Sequence, residues 1–325
     1  MRRAALVWYR TTDLRLLDHE PLHRAHAQHT HVSHVFCFDP RLWSGAATVD
    51  YSRSMTPTGL LRLGQARRRF LIESVADLRA QLRAKSQSDL ILCVGRPEDV
   101  LPRVAAECAA STLLFTRAEA DEEERVEAAV GAALSQSGVA VDSLWGNTLI
   151  HIDDLPASVD PRKTMRGAVR TFSQFRTAVE KGRKSGVPLA VRPPLPMPTP
   201  FRPECARADA QGGSVAFDIT TSVADVAQRA WSCAVADALV VGGKVDAEGA
   251  ALGLPLPPLP PPPSAAAGEW AALAAATFVG GESAALAHVE RWMFGKDLLK
   301  TYKKTRNGLL GVDYSSKVRV LVGVR

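Results

Sequence analysis

An α/β fold built on a doubly wound parallel sheet is predicted by three observations. Short, wholly apolar runs recur through the first half of the chain. Longer amphipathic stretches separate them, as crossover helices would. Past about residue 188 the composition shifts to proline, alanine and glycine, so the repeating pattern is confined to an N-terminal unit.

The first run, "AALVWY" (Ala4–Tyr9), is followed by "HVFCF" (His34–Phe38), "LILCV" (Leu90–Val94) and "TLLFT" (Thr112–Thr116). Continuous apolar runs of this length suit strands buried on both faces. Val7, Val35, Leu92 and Leu114 are expected in the interior, on neighbouring strands. Between the second and third strands, Thr58–Ala84 reads as one long helix with Leu71, Val75, Leu78 and Leu82 on a single stripe. "RPEDVLPRVAAECAA" places Pro97 where a first helical turn tolerates it. Asp121–Leu134 gathers its acids in the first turn, where they complement the helix dipole.

"VPLAVRPPLPMPTPFRPE" then reads as extended, and the Ala/Gly-rich stretch 206–253 with "LPLPPLPPPPSAAAG" after it reads as a low-complexity insertion. "GGESAALAHVERWMFGKDLLKTYKKT" is helical again. The expected layout is an α/β domain over 1–156, a linker over 157–277 and a helical piece over 278–325.

The 325 residues carry a net charge of +6, which permits a polyanionic partner without requiring one. With 46% hydrophobic and 23% charged residues the chain has the make-up of a soluble globular protein, without a signal peptide and with no apolar run of bilayer length. The five cysteines form no CxxC pair, and reduced core thiols are expected. His19, His23 and His26 would share a helical face, but no carboxylate or thiol at suitable spacing completes a metal set. Walker, GxGxxG and GxSxG signatures are missing from the N-terminal half, so a generic nucleotide-binding protein is disfavoured and no catalytic residue is assigned.

Taken in order, "ALVWYRTTDLRLLDHEPLHRAH", "HVFCFDPRLW", "RRRFLIESVADLRAQL", "GRPEDVLPRVA" and "LWGNTLIHIDDLP" resemble the N-terminal domain of the photolyase/cryptochrome family. Within it the likeness is to the cryptochrome DASH branch, and "FVGGESAALAHVERWMFGKDLLKTYKKTRNGLLGVDYSSK" is similar to the start of that branch's helical domain. The resemblance implies a folate antenna (methenyltetrahydrofolate) in a cleft shared by the two domains, and FAD in the helical one. It also implies light-driven repair of cyclobutane pyrimidine dimers flipped out of DNA, preferably single-stranded, or blue-light sensing.

Residue by residue, the resemblance gives Tyr302, Ser315, Ser316 and Lys317 a role in gripping the flavin phosphates. The family then continues Phe-Ser-Pro into a helix, where this chain has Val318, Arg319 and Val320 and ends at Arg325. The expectation is a helical domain cut short, weak FAD binding, no repair and self-association through uncovered apolar side chains. The family's antenna carboxylate falls on Ala118, leaving Glu119, one residue on, as the antenna candidate. Asp13 and Arg15 match family positions and are expected to form a buried structural pair. The alternative is a stand-alone α/β module that binds an antenna or a protein partner without catalysis.

Overall fold

Strand β1 (Ala4–Tyr9) lies inside a six-stranded sheet of order β5-β4-β1-β2-β3-β6 in the computed structural model. The structure describes residues 4–43, 63–86, 88–157, 159–163, 171–180, 190–204, 222–232, 239–241, 279–308, 313–314 and 316. β2 (His31–Phe38), β3 (Leu90–Gly95), β4 (Thr112–Thr116) and β5 (Ala140–Leu144) run parallel to β1, and β6 (Leu239–Val241) pairs antiparallel with β3. This is the doubly wound sheet expected. Val7, Val35 and Leu114 are inaccessible to solvent and Leu92 nearly so.

Alternation along the strands divides the core in two. Ala5, Val7 and Tyr9 face one side with Leu22 of helix α1 (Glu20–Gln28) and Val75 and Leu78 of α3 (Gln65–Ser86). Leu6 and Trp8 face the other, against Val104 of α4 (Pro97–Glu107) and Val130 of α5 (Asp121–Gln136). A short helix, α2 (Pro40–Trp43), follows β2 and buries Trp43.

Helix α3 begins later than the expected Thr58. Arg68 N bonds Gly64 O at 2.9 Å, so the first helical turn closes on a glycine; residues 58–62 lie outside the described residues. β5 and β6 were not anticipated, and neither was α6 (Phe172–Glu180). Two elements fall inside the stretch read as low-complexity insertion: β6, and α7 (Val223–Ser232), whose Val223, Val226 and Ala227 join the core beside α3. An apolar face at helical spacing is hidden there by the surrounding alanine and glycine. The extended segment 195–204 also packs on the domain, with Val32 N donating to Pro203 O at 2.9 Å.

The last described stretch comprises α8 (Glu282–Val289), a π-helical turn over Glu290–Gly295 and α9 (Leu299–Thr305). Trp292 is fully buried and its Nε1 donates to Asp313 O at 3.1 Å, while Leu286, Phe294 and Leu299 stay more than half exposed.

Candidate functional site

In a sheet of this order the chain turns to opposite sides after β1 and after β4. The crevice outside the carboxyl ends of those two strands is the place such folds use for ligands. Here the crevice is formed by the loops Arg10–His19 and Arg117–Ala120, with the loop after β5 laid against them. That last loop approaches closely: a Cβ on Gly146 would stand 3.3 Å from Thr116 Cγ2.

Beneath the crevice runs a buried polar array. Asp13 is fully buried and accepts from Arg10 N at 2.6 Å, while His19 Nε2 lies 3.2 Å from its other oxygen. Leu22 N donates to His19 Nδ1, which leaves Nε2 to carry the proton toward Asp13. Burial alone would raise the Asp13 carboxyl, but the His19 ring and hydrogen bonds from Thr116 and the Arg10 amide outweigh it and hold the pKa below the usual carboxylate value. Tyr9, raised well above an ordinary phenol by burial, sits 3.4 Å from His34 Nδ1, and His34 stacks on His26 at 5.6 Å. Burial makes both histidines poor bases, His26 with a pKa of about 4 and His34 well below normal.

This corrects two expectations. Asp13 pairs with His19, not with Arg15, because the Arg15 guanidinium turns to carbonyl oxygens: Asp18 O at 3.1 Å and Gly146 O at 3.3 Å. His19 caps helix α1 instead of sharing its face with His23 and His26, because the helix starts at Glu20.

Arg15 borders a cavity of about 320 Å³. Its walls are the loop from Thr11 to Asp18, residues 146–149, Phe70, Leu71 and Ser74 of α3, and the inner face of α8. The helix is locked in place by acid-to-amide bonds. Glu282 accepts from Leu16 N and Leu17 N, Glu73 from Gly280 N at 2.8 Å, and Asp77 from Ser283 N at 3.0 Å. The approach is so close that a Cβ on Gly280 would meet Phe70 O at 2.0 Å. Neither Glu282 nor the two glycines was singled out from the sequence, although "GGES" carries them; their partners are far away in the chain.

Of the residues assigned by resemblance, Tyr302 lies half-buried on α9 with its ring edge-on to Trp292 at 5.9 Å. The Ser316 carbonyl accepts from His288 Nε2 at 2.9 Å, and Asp313 beside it is held by Arg291 and Lys296. Ser315, Lys317 and the strand-like 318–325 lie outside the described residues. Glu119 is half-buried with Oε1 inside, and the amide of buried Ala118 donates to Glu127 at 2.8 Å. Tyr302, Ser316 and Glu119 do not line the cavity. Among the described residues, one tyrosine edge and one carbonyl make only a partial fit to a flavin. Cys37, Cys93 and Cys108 are buried free thiols. Among the described residues no helix is long and apolar enough to cross a membrane.

The DNA photolyase family model matches residues 5–199. Cryptochrome DASH of Gloeobacter violaceus is 36% identical over 97% of this chain and 49% of its own length. Cryptochrome DASH of a Synechocystis species is 30% identical over 96% and 50%. A solved Synechocystis cryptochrome superposes with a TM-score of 0.68 at 28% identity, covering 99% of this chain and 53% of that one. A class III photolyase from Agrobacterium tumefaciens, at 18% identity and a TM-score of 0.59, shares the fold. The chain spans about half the length of the curated relatives it matches. It belongs to the photolyase/cryptochrome family, in the cryptochrome DASH branch.

Proposed function

We propose that this chain serves photolyase/cryptochrome-type chemistry: light-driven, flavin-dependent repair of cyclobutane pyrimidine dimers, preferably in single-stranded DNA, or blue-light sensing. The observation that carries the proposal is the extent of the likeness. Similarity to cryptochrome DASH proteins runs over 97% of the chain and so includes the helical segment beyond the sheet, whereas a shared α/β fold alone would stop with the sheet.

In this reading Tyr302, Ser315, Ser316 and Lys317 face the FAD phosphates, and Glu119 is the residue available to a folate antenna. These flavin contacts are few. A small molecule held this way keeps most of its surface in water, and affinity falls accordingly. The residues present should therefore bind FAD weakly and support little or no repair by themselves. The exposed Leu286, Phe294 and Leu299 are consistent with self-association.

The test is to incubate the purified chain with FAD and methenyltetrahydrofolate, pass it through gel filtration and record its absorbance. Illumination with a thymine dimer in a single-stranded oligonucleotide follows. Flavin well below one equivalent, with little or no repair, is expected. Stoichiometric flavin would overturn the weak-binding reading, and a pterin band alone would favour a stand-alone antenna module.

A further inference from the structure

We propose that the extended segment 195–204 is an acid-released strap, fastened to the sheet domain while the His26 ring is neutral and freed when Nδ1 of that ring takes a proton. The device is independent of flavin, folate and DNA.

The sequence makes the strap depend on a handful of anchors. In "LPMPTPFRPE" four prolines keep the backbone extended and carry no amide donors of their own. At one end Leu195 N donates to Asp18 Oδ1 at 3.1 Å, and Asp18 N to Leu195 O at 3.0 Å. At the other, Arg202 N donates to His26 Nδ1 at 2.9 Å and Val32 N to Pro203 O at 2.9 Å, while Ser88 Oγ and Asp89 N donate to Glu204 Oε1. Between the ends, Met197 and Phe201 rest against the core, with Phe201 edge-on to the His26 ring at 4.9 Å.

His26 is the anchor that can change. It lies on α1 and is only 4% exposed. Because Nδ1 accepts the Arg202 amide, Nε2 carries the ring proton, and Nε2 has no hydrogen-bond partner among the described residues. A second proton can therefore enter only at Nδ1. There it turns the acceptor into a donor facing the Arg202 N–H, and the bond is lost.

The surroundings give the new charge nothing to pair with. Around the ring stand the Arg202 guanidinium of the strap, whose Nε bonds His26 O at 3.0 Å, His23 on α1, and His34 of β2, stacked at 5.6 Å. Each is a cation or becomes one in acid. Glu204, the strap's own carboxylate, is engaged by Ser88 and Asp89. Burial first, then Arg202 and His23, lowers the docked ring to a pKa of about 4. A ring released into water returns toward 6.5, so docking is fully favoured above that pH and weakens as pH falls from 6.5 toward 4.

The test is NMR hydrogen exchange on the full chain at pH 7 and pH 5, corrected for intrinsic rates. The opening constant at the Arg202 and Val32 amides should rise about twentyfold between the two, as a docked pKa of about 4 against a released one of 6.5 requires. Dilute urea should leave that opening unchanged, since a local release exposes little surface. In His26→Asn, whose side-chain oxygen can take the Arg202 amide, the rise should vanish. Arg202→Gln keeps the amide, removes the facing cation and should show a smaller rise. An opening constant that does not change with pH overturns the proposal. So does a full rise in either variant. Exchange at Arg202 that climbs in dilute urea together with the β1 amides overturns it too, because then only the whole domain opens.

Discussion

Glu282 accepts the backbone amide of Leu16 at 2.9 Å, although 266 positions of sequence separate the two residues. Its other oxygen takes Leu17 N at the same distance. One side chain thus answers two loop amides and fastens the helical segment to the sheet domain. Charged acceptors are worth about 1.5–3 kcal/mol per hydrogen bond. Glu282→Ala should cost about 2–4 kcal/mol in urea unfolding and Glu282→Gln less, since an acceptor oxygen remains. Equal losses in the two variants would show that the carboxylate charge is immaterial.

The same junction predicts that its glycines tolerate no side chain. At Gly281, φ is +112° and a Cβ would fall 2.5 Å from Asp77 Cβ; at Gly280 the obstacle is the Phe70 carbonyl. Backbone and the stem of a side chain cannot yield cheaply. Gly280→Ala should therefore release α8 from α3. Hydrogen exchange at Leu16 and Leu17 should then rise to the level seen in Glu282→Ala, while the β1 amides stay protected.

Acid should weaken the fold in two separate windows. An unfolded histidine has a pKa near 6.5, and buried His26 one of about 4. Between those values the unfolded chain binds more protons, so stability falls as pH drops from about 6.5 toward 4, by up to roughly 3 kcal/mol from this group. His34, shifted in the same direction, steepens the fall. Asp13 acts lower: its carboxyl is depressed, so its contribution persists until pH falls below the ordinary carboxylate value. His26→Asn keeps an acceptor for the Arg202 amide and removes the titration, so urea midpoints between pH 7 and 5 should flatten. An unchanged slope would rule His26 out.

How much of this was legible depends on where the information sits. β1 to β4 are buried on both faces, so every residue of "AALVWY" must be apolar and the strand is plain from composition. β5 is an edge strand with "AVDSL" mostly in water and only Leu144 buried, so no continuous apolar run marks it. Helix α7 was hidden by its alanine-rich surroundings until its buried face met α3. The Asp13–Arg15 pairing failed because neighbours in sequence need not be neighbours in space: Arg15 was drawn off by carbonyls at Asp18 and Gly146. Glu282 and Gly280 act on residues more than 200 positions away, and no local pattern records such a contact.

The thiols offer a check on the core. Cys37 and Cys93 are register partners on β2 and β3, and Cys108 belongs to the same cluster. Burial, helped by the neighbouring Cys37, pushes the Cys93 thiol well above its ordinary pKa, which removes the reactive thiolate. Mass mapping after iodoacetamide should find these three unlabelled in the native chain and labelled in urea. Native labelling of Cys93 would mean that the sheet opens at β3.

Glu127 is expected to set the loop that carries Glu119. Its Oε1 accepts from Arg10 Nη1 at 2.7 Å and from the Ala118 amide at 2.8 Å, and Arg10 lies over the Trp8 ring at 4.3 Å. Both charges are largely buried, so removing one strands the other, a loss of about 3 kcal/mol or more. Glu127→Ala should show that cost in urea unfolding and expose the Ala118 amide to exchange. Glu127→Gln can still accept from that amide while losing the ion pair, so it should lose stability but keep Ala118 protected. If both variants free Ala118 equally, the loop is held by the Arg10 charge and not by the amide bond. In that case any ligand reaching Glu119 would depend on Arg10 as well.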